Sequence, residues 1–578
     1  MGKDKEGYME KLIYAILDKR WRKATVIIIT LILLGASVMM IPTKLVMAKM
    51  LPGKSANTFT IYVDTPTNSS IKQTELVSQC IENVLIKEKA VVDMEIYLGQ
   101  GAPLDYAGLV KGSDFKRMKY QSEIVVNLTH KNSRDEASYM MVHRIRPIIN
   151  ETCGNVVPKT RIRFVEMPSG PPTLATIVVE VFGKDDSVMR GTAKTIADVL
   201  KNTEGLVDVD IMQDTIFLKY ELVPNKEKIM GSGLSVEQVN NIIYLAFKGM
   251  PIAVKNTRNQ QDQIPIFVRL SEESHRFASN SQEALETKIS SLKLMNKKGM
   301  MVPLREVIDV EVMPSSPTIF RKNLVNMVTV TAECDMVSQV YPLLEARETL
   351  QKVLSNDFNV TKVPGISTYM FDLNLQSKHS KDKLLLRWDG EMKVSLDTFR
   401  DLGGAFIAAL VLMFLLIVIY YKSFALSGIV LAGSFLSIMG VISGHWVTDK
   451  IQLLLTGSNF FLTATSLIGF ISLMGISARS SLLLIDFSRS LIARGTEKQR
   501  AIAVATATRA KPIMLTAIAI ILGSLLLATD PIFGGLGIAL IFGSIAATLV
   551  SIFLVPVLMH NTDALCWLKK EAEQERAQ

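Results

Sequence analysis

Scarce residue types set the first limits on this 578-residue chain. Its four cysteines (Cys80, Cys153, Cys334, Cys566) lie far apart and lack the spacing of a zinc ribbon or a redox CxxC. Six histidines are scattered, so no metal-ligand cluster can be read. Residues 53–55 spell GKS, but Ala48 stands where a phosphate loop needs its first glycine. No nucleophile elbow, metalloprotease helix or dinucleotide fingerprint is present, which argues against an ATP-driven or hydrolytic enzyme. The apolar cores of the hydrophobic runs also contain no carboxylate that would pair directly with a buried cation.

Apolar sequence, by contrast, is plentiful. The hydrophobic fraction is 48% and the mean hydropathy +0.27, a balance that implies membrane segments joined to a large water-soluble part. The net charge of +9 comes from basic residues concentrated at membrane flanks, which argues against a nucleic-acid partner. The 28 methionines offer soft sulfur for copper or silver, yet core packing and lipid-facing filler account for most of them.

A spanning helix needs about 20 mostly apolar residues. The run ATVIIITLILLGASVMMIP (24–42) qualifies, and LDKRWRK before it predicts a cytoplasmic N-terminus, residues 1–23. With 23 residues ahead of the run and no A-x-A pattern after it, the segment reads as an anchor rather than a cleaved signal. Five more runs follow near 403–421, 425–446, 459–486, 513–529 and 536–559. The connector 487–512 carries six Lys/Arg and belongs inside; the connections near 447–458 and 530–535 carry one and none and belong outside. The expected plan is a first helix (24–44), a large external part, five helices within 399–560, and a cytoplasmic tail (561–578).

Within the external part, strand-like NTFTIYVD (57–64), helical IKQTELVSQCIENVLIKE (71–88) and strand-like VVDMEIYL (91–98) are followed by the same order at 121–130, 133–150 and 160–167. Twice-repeated β-α-β predicts a ferredoxin-like subdomain over 45–170. A second unit starts at 171–212 and resumes at 326–398, leaving 213–325 as an inserted subdomain with its own helix at 235–247.

In this setting the chain resembles the C-terminal half of a resistance-nodulation-division (RND) efflux transporter of the AcrB-like kind. The resemblance rests on KMLPGKSANTFTIYVDTP (49–66), SGPPTLATIVVEVFG (169–183), IPIFVRL (264–270), GISARSSLLLIDF (475–487) and RAKPIMLTAIAIILG (509–523). It implies an α-helical membrane bundle of six helices plus an α+β periplasmic domain, made of ferredoxin-like porter subdomains with an inserted docking subdomain. It further implies residence in a bacterial inner membrane, a trimer of full-transporter equivalents, a periplasmic adaptor protein and an outer-membrane channel. The resemblance also implies the proton motive force as the driving force, with no cofactor and no resident metal expected.

Arg479 lies where a charge costs about 2.5–3.5 kcal/mol on insertion scales unless it is paired or hydrated. The resemblance places it at the basic position facing an acidic pair on the other half, so the expected partner is a separately encoded N-terminal-half subunit. Thr516 matches a membrane threonine near those acids, and Arg509 an arginine at the cytoplasmic entrance. Asp486, seven residues or about 10 Å along the helix from Arg479, is a possible secondary relay group. The segment YLGQGAPLDYAGLVKGSDF (97–115) resembles the family's pocket-gating loop, with Tyr97, Gly99, Gly101, Tyr106 and Phe115 as the candidate substrate path. Two other readings stand beside this one: a self-sufficient homo-oligomeric exporter, and a non-transporting scaffold that binds an adaptor.

Overall fold

The computed structural model describes residues 7–167, 170, 172–258, 263–275, 277, 279, 281–363 and 371–565; Cys566 and the predicted tail lie outside them. The first subdomain comprises β1 (Thr58–Asp64), a helix (Ile71–Leu85), β2 (Val91–Leu98), β3 (Gln121–Leu128), a helix (Ser138–Cys153) and β4 (Arg161–Glu166). Its antiparallel sheet runs β2-β3-β1-β4, the order of a ferredoxin-like split sandwich. Thr60 pairs with Val125 on one side and Val165 on the other. Val77, Ile81 and Leu85 recur at i, i+4 and i+8 and pack with Val142, Ile145 and Ile149 over Ile61 and Ile124. A capping box between Ser70 and Gln73 starts the first helix.

Cys80 and Cys153 form a disulfide between these two helices. The sequence offered no sign of it, because 73 residues separate the two and only the side-by-side packing of the helices makes them neighbours.

The second subdomain repeats the plan with a difference. β5 (Ile177–Phe182), the helix Asp186–Lys201 and β6 (Leu206–Met212) are completed by a strand at Val325–Cys334 and the helix Val340–Leu354. The strand order is β6, Val325–Cys334, β5, then Lys383–Asp389, so a later strand fills the fourth position. Leu373–Ser377 and Phe358–Lys362 extend the sheet beyond it. These three strands were not assigned from the sequence.

Residues Gln213–Thr318 form a compact unit of their own. Strands Leu218–Pro224 and Ile308–Pro314 pair antiparallel, and Ile229, Val239, Ile289 and Leu304 make its core. Its helix Val236–Phe247 opens on a Ser235–Gln238 capping box.

Six helical spans among the described residues are long and apolar enough to cross a membrane: Arg20–Met39, Glu391–Tyr421, Phe424–Thr456, Ala464–Ala493, Lys498–Ala528 and Gly534–Asn561. Their bounds differ from the apolar runs read from sequence. The helix expected from 403 begins at Glu391, and the one expected to stop at 446 reaches Thr456 after a break at Ser437. The expected connector 487–512 is itself mostly helical. Helix continues to Ala493 and resumes at Lys498, so only residues 494–497 turn, with Gly495 at φ 91°. Hydropathy ends where charge begins, whereas the hydrogen-bond ladder runs on through an alanine-rich stretch that favours helix.

Small residues let these helices approach closely. A Cβ on Gly444 would lie 2.4 Å from the Phe542 ring, and one on Gly469 would lie 2.6 Å from Ala539 Cβ.

Candidate functional site in the membrane helices

The 464–493 helix has two unlike faces. Its buried face carries Ser466, Leu473, Ser477, Ser481, Leu484 and Ser488. Its exposed face carries Ile468, Ser472, Gly475, Arg479, Leu483, Asp486 and Ser490, spaced by threes and fours along one stripe. For a helix able to span a membrane, a stripe with two charges, two serines and a glycine is unsuited to lipid and suited to protein.

Arg479 stands in the middle of this stripe, exposed, with no ion pair or hydrogen bond among the described residues. Asp486 does not serve it. That carboxylate accepts a 2.7 Å hydrogen bond from the Tyr421 hydroxyl of the 391–421 helix. The Arg489 guanidinium lies 5.0 Å from the same tyrosine ring. The sequence reading missed Tyr421, although an apolar helix ending in Tyr420–Tyr421 was a signal available to it.

Thr516 donates to the Pro512 carbonyl at 2.8 Å, a back-bond within its own helix. Proline contributes no N–H, so this region of the helix has hydrogen-bonding capacity to spare. Arg509 lies 5.0 Å over the Phe487 ring and keeps a buried Nε without a partner. It therefore ties the 498–528 helix to the end of the 464–493 helix. The structure thus places Arg479, Asp486, Thr516 and Arg509 on two packed helices, each with separate surroundings.

The bundle interior holds a polar group that sequence reasoning passed over. His445 is fully buried; its Nδ1 is 2.8 Å from the Val441 carbonyl and its Nε2 2.8 Å from Ser466 Oγ. A carbonyl only accepts, so Nδ1 carries hydrogen, and in the neutral ring Nε2 accepts from the serine. One turn on, buried Asp449 accepts from the Phe460 N–H at 2.8 Å. Asp449 lies past 446, where the apolar run was cut; His445 lies inside the run, but its partner Ser466 comes from another helix.

The 97–115 segment is ordered by its own contacts. Asp105 caps a short helix, Tyr106–Lys111, by accepting from the Gly108 N–H at 2.6 Å. Glu123 accepts from the Ala102 N–H and the Ser113 hydroxyl. Gly99 has φ 71°, and a Cβ on Gly101 would lie 2.3 Å from the Ser113 carbonyl oxygen, so both glycines are required by this path. Tyr106 and Phe115 are exposed, Phe115 meets Phe320 edge-on at 6.1 Å, and Tyr97 donates to Glu95. No ring contact joins the three aromatics among the described residues.

Two ferredoxin-like subdomains, one interrupted by a separate unit, set beside six apolar helices define a transporter-type architecture. Residues 2–561 match the AcrB/AcrD/AcrF family, and the chain belongs to it. It is 23% identical over 564 residues to the swarming motility protein SwrC of Bacillus subtilis, covering 95% of this chain and 46% of that protein. With the cobalt-zinc-cadmium resistance protein CzcA of Cupriavidus metallidurans it shares 24% over 408 residues, covering 69% of this chain and 34% of that protein. With the multidrug export protein AcrF of Escherichia coli it shares 21% over 522 residues, covering 88% and 45%. The crystal structure of a heavy metal efflux pump has the same fold, at TM-score 0.70 and 18% identity, covering 95% of this chain and 51% of that one. The chain thus spans about half the length, or less, of the relatives it matches.

Proposed function

We propose that this chain is the C-terminal-type half of a proton-driven RND efflux transporter and supplies the basic member of its intramembrane relay. The carrying observation is Arg479, an unpaired guanidinium on an exposed polar stripe of a helix able to span a membrane. Carboxylates from a separately encoded, complementary half would neutralise it. Their protonation would weaken the attraction and let the helices shift between two arrangements. A proton crossing inward supplies about 2.3 kcal/mol per 100 mV. Thr516, whose hydroxyl both donates and accepts, and Arg509 would serve the same relay.

The β subdomains would face the periplasm, which the Cys80–Cys153 disulfide supports, since such bonds persist in oxidising compartments. Assembly would be a trimer of full-transporter equivalents, joined by an adaptor and an outer-membrane channel. The exported substrate belongs to the metals or drugs named for the relatives, and the 97–115 loop would gate its path.

Affinity purification of the chain from its native membrane tests the proposal. A co-purifying second subunit with an acidic pair on its middle membrane helix is expected. An active, proton-coupled complex containing copies of this chain alone would overturn it.

A further inference from the structure

A cavity of about 350 Å³ lies where both β subdomains meet the ends of the membrane helices, and one of about 120 Å³ adjoins it. Lys49, Glu166 and Cys334 line both. Three of the neighbouring carboxylates have partners. Asp335 and Asp208 each lie 3.1 Å from Arg146, and Glu333 binds Lys111 and Thr176. Glu391, beside the smaller cavity, and Glu166 have no side-chain ion pair or hydrogen bond among the described residues; of the two, only Glu166, half-buried at the end of β4, lines both cavities. Burial pushes its carboxyl up to about 7; Arg146 and Lys49 oppose the shift, while Glu333 and Asp335 add to it.

Lys49 is equally unsettled. Its ammonium lies 5.4 Å over the Phe461 ring, with no carboxylate in ion-pair range among the described residues. Its backbone is fixed, however. The Lys49 N–H donates to the Leu462 carbonyl at 3.0 Å, Leu462 N–H donates to Met47 at 2.8 Å, and Ala464 N–H donates to Met50 at 3.1 Å. Residues 47–50 are therefore stitched to the start of the same helix that carries Arg479. On the other side, the Ser338 hydroxyl donates to the Ala48 carbonyl and ties the strap to the second subdomain.

We infer that Glu166 is a proton-binding site outside the membrane helices, and that its charge sets the position of Lys49. Ionised, Glu166 draws the ammonium off the Phe461 ring; protonated, it leaves the ammonium there. Because the strap is bonded to the 464–493 helix and to the second subdomain, either position is transmitted to both. The site stands on this chain's own residues and needs no partner half.

The test is an infrared titration of the carboxylic-acid C=O stretch on the purified full chain. A band titrating between about pH 6 and 8 that Glu166→Gln removes is expected. Lys49→Gln removes a favourable cation and should move the midpoint up by about one pH unit. Phe461→Leu frees Lys49 for the carboxylate and should move it down. If the wild-type chain has no carboxyl titrating in that window, or Glu166→Gln leaves the band in place, the proton site is overturned, even should a variant fold poorly. If Phe461→Leu leaves the midpoint unmoved, the switching of Lys49 is overturned.

Discussion

His445 and Arg479 are both nitrogen bases on helices able to span a membrane, and the fold treats them oppositely. His445 is sealed in the interior, and both ring nitrogens have oxygen partners from this chain. Arg479 is turned out on a stripe with serines, a glycine and an aspartate, and nothing in the described chain answers it. Buried polar groups are satisfied internally because leaving one unsatisfied costs about 1–3 kcal/mol. A guanidinium left unanswered on an outward face is the group that the proposed complementary half would satisfy. The same contrast appears in the glycines: Gly444 is pressed against Phe542, whereas a Cβ on Gly475 would meet nothing within 4 Å.

The strongest break in this contrast is Arg479→Ala, which should reduce transport by the assembled complex to background while leaving assembly largely intact. Vesicle transport assays and gel filtration measure the two, and unchanged transport would remove the relay role. Next in size is the disulfide. Opening the loop between Cys80 and Cys153 with a double serine variant should cost about 4 kcal/mol on the chain-entropy model, read as earlier thermal unfolding of the purified chain. Gly444→Ala comes third. Overpacking against Phe542 should cost about 1–3 kcal/mol in the same melt. Tyr421→Phe, which removes the hydrogen bond to Asp486, should cost about 1 kcal/mol. Gly475→Ala is the smallest for the chain alone: no loss of stability, and a gain of up to about 1 kcal/mol from helix propensity. It should nonetheless lower recovery of the complementary subunit in a pull-down, and full recovery would show that the stripe is not the docking face.

Much of the architecture could be read in advance where one period ran uninterrupted. Val77, Ile81 and Leu85 announce a helix, and the β-α-β repeats announce the split sandwich. Helix ends differ from the ends of the apolar runs because charge and backbone geometry end at different places: Asp449 and Lys498 sit inside helices whose apolar cores stop short of them. In the candidate site, Arg479 stood out by its cost. Tyr421 and His445 did not, since their partners come from other helices.

Sequence alone determined the two periodicities, the apolar lengths and the misplaced charge, because each is a property of neighbours along the chain. Tertiary structure decided which face of the 464–493 helix turns outward, that Cys80 meets Cys153, that Lys383–Asp389 takes the fourth place in the second sheet, and that Glu166 is left without a partner. Those outcomes depend on residues tens to hundreds of positions apart, and only packing fixes their distances.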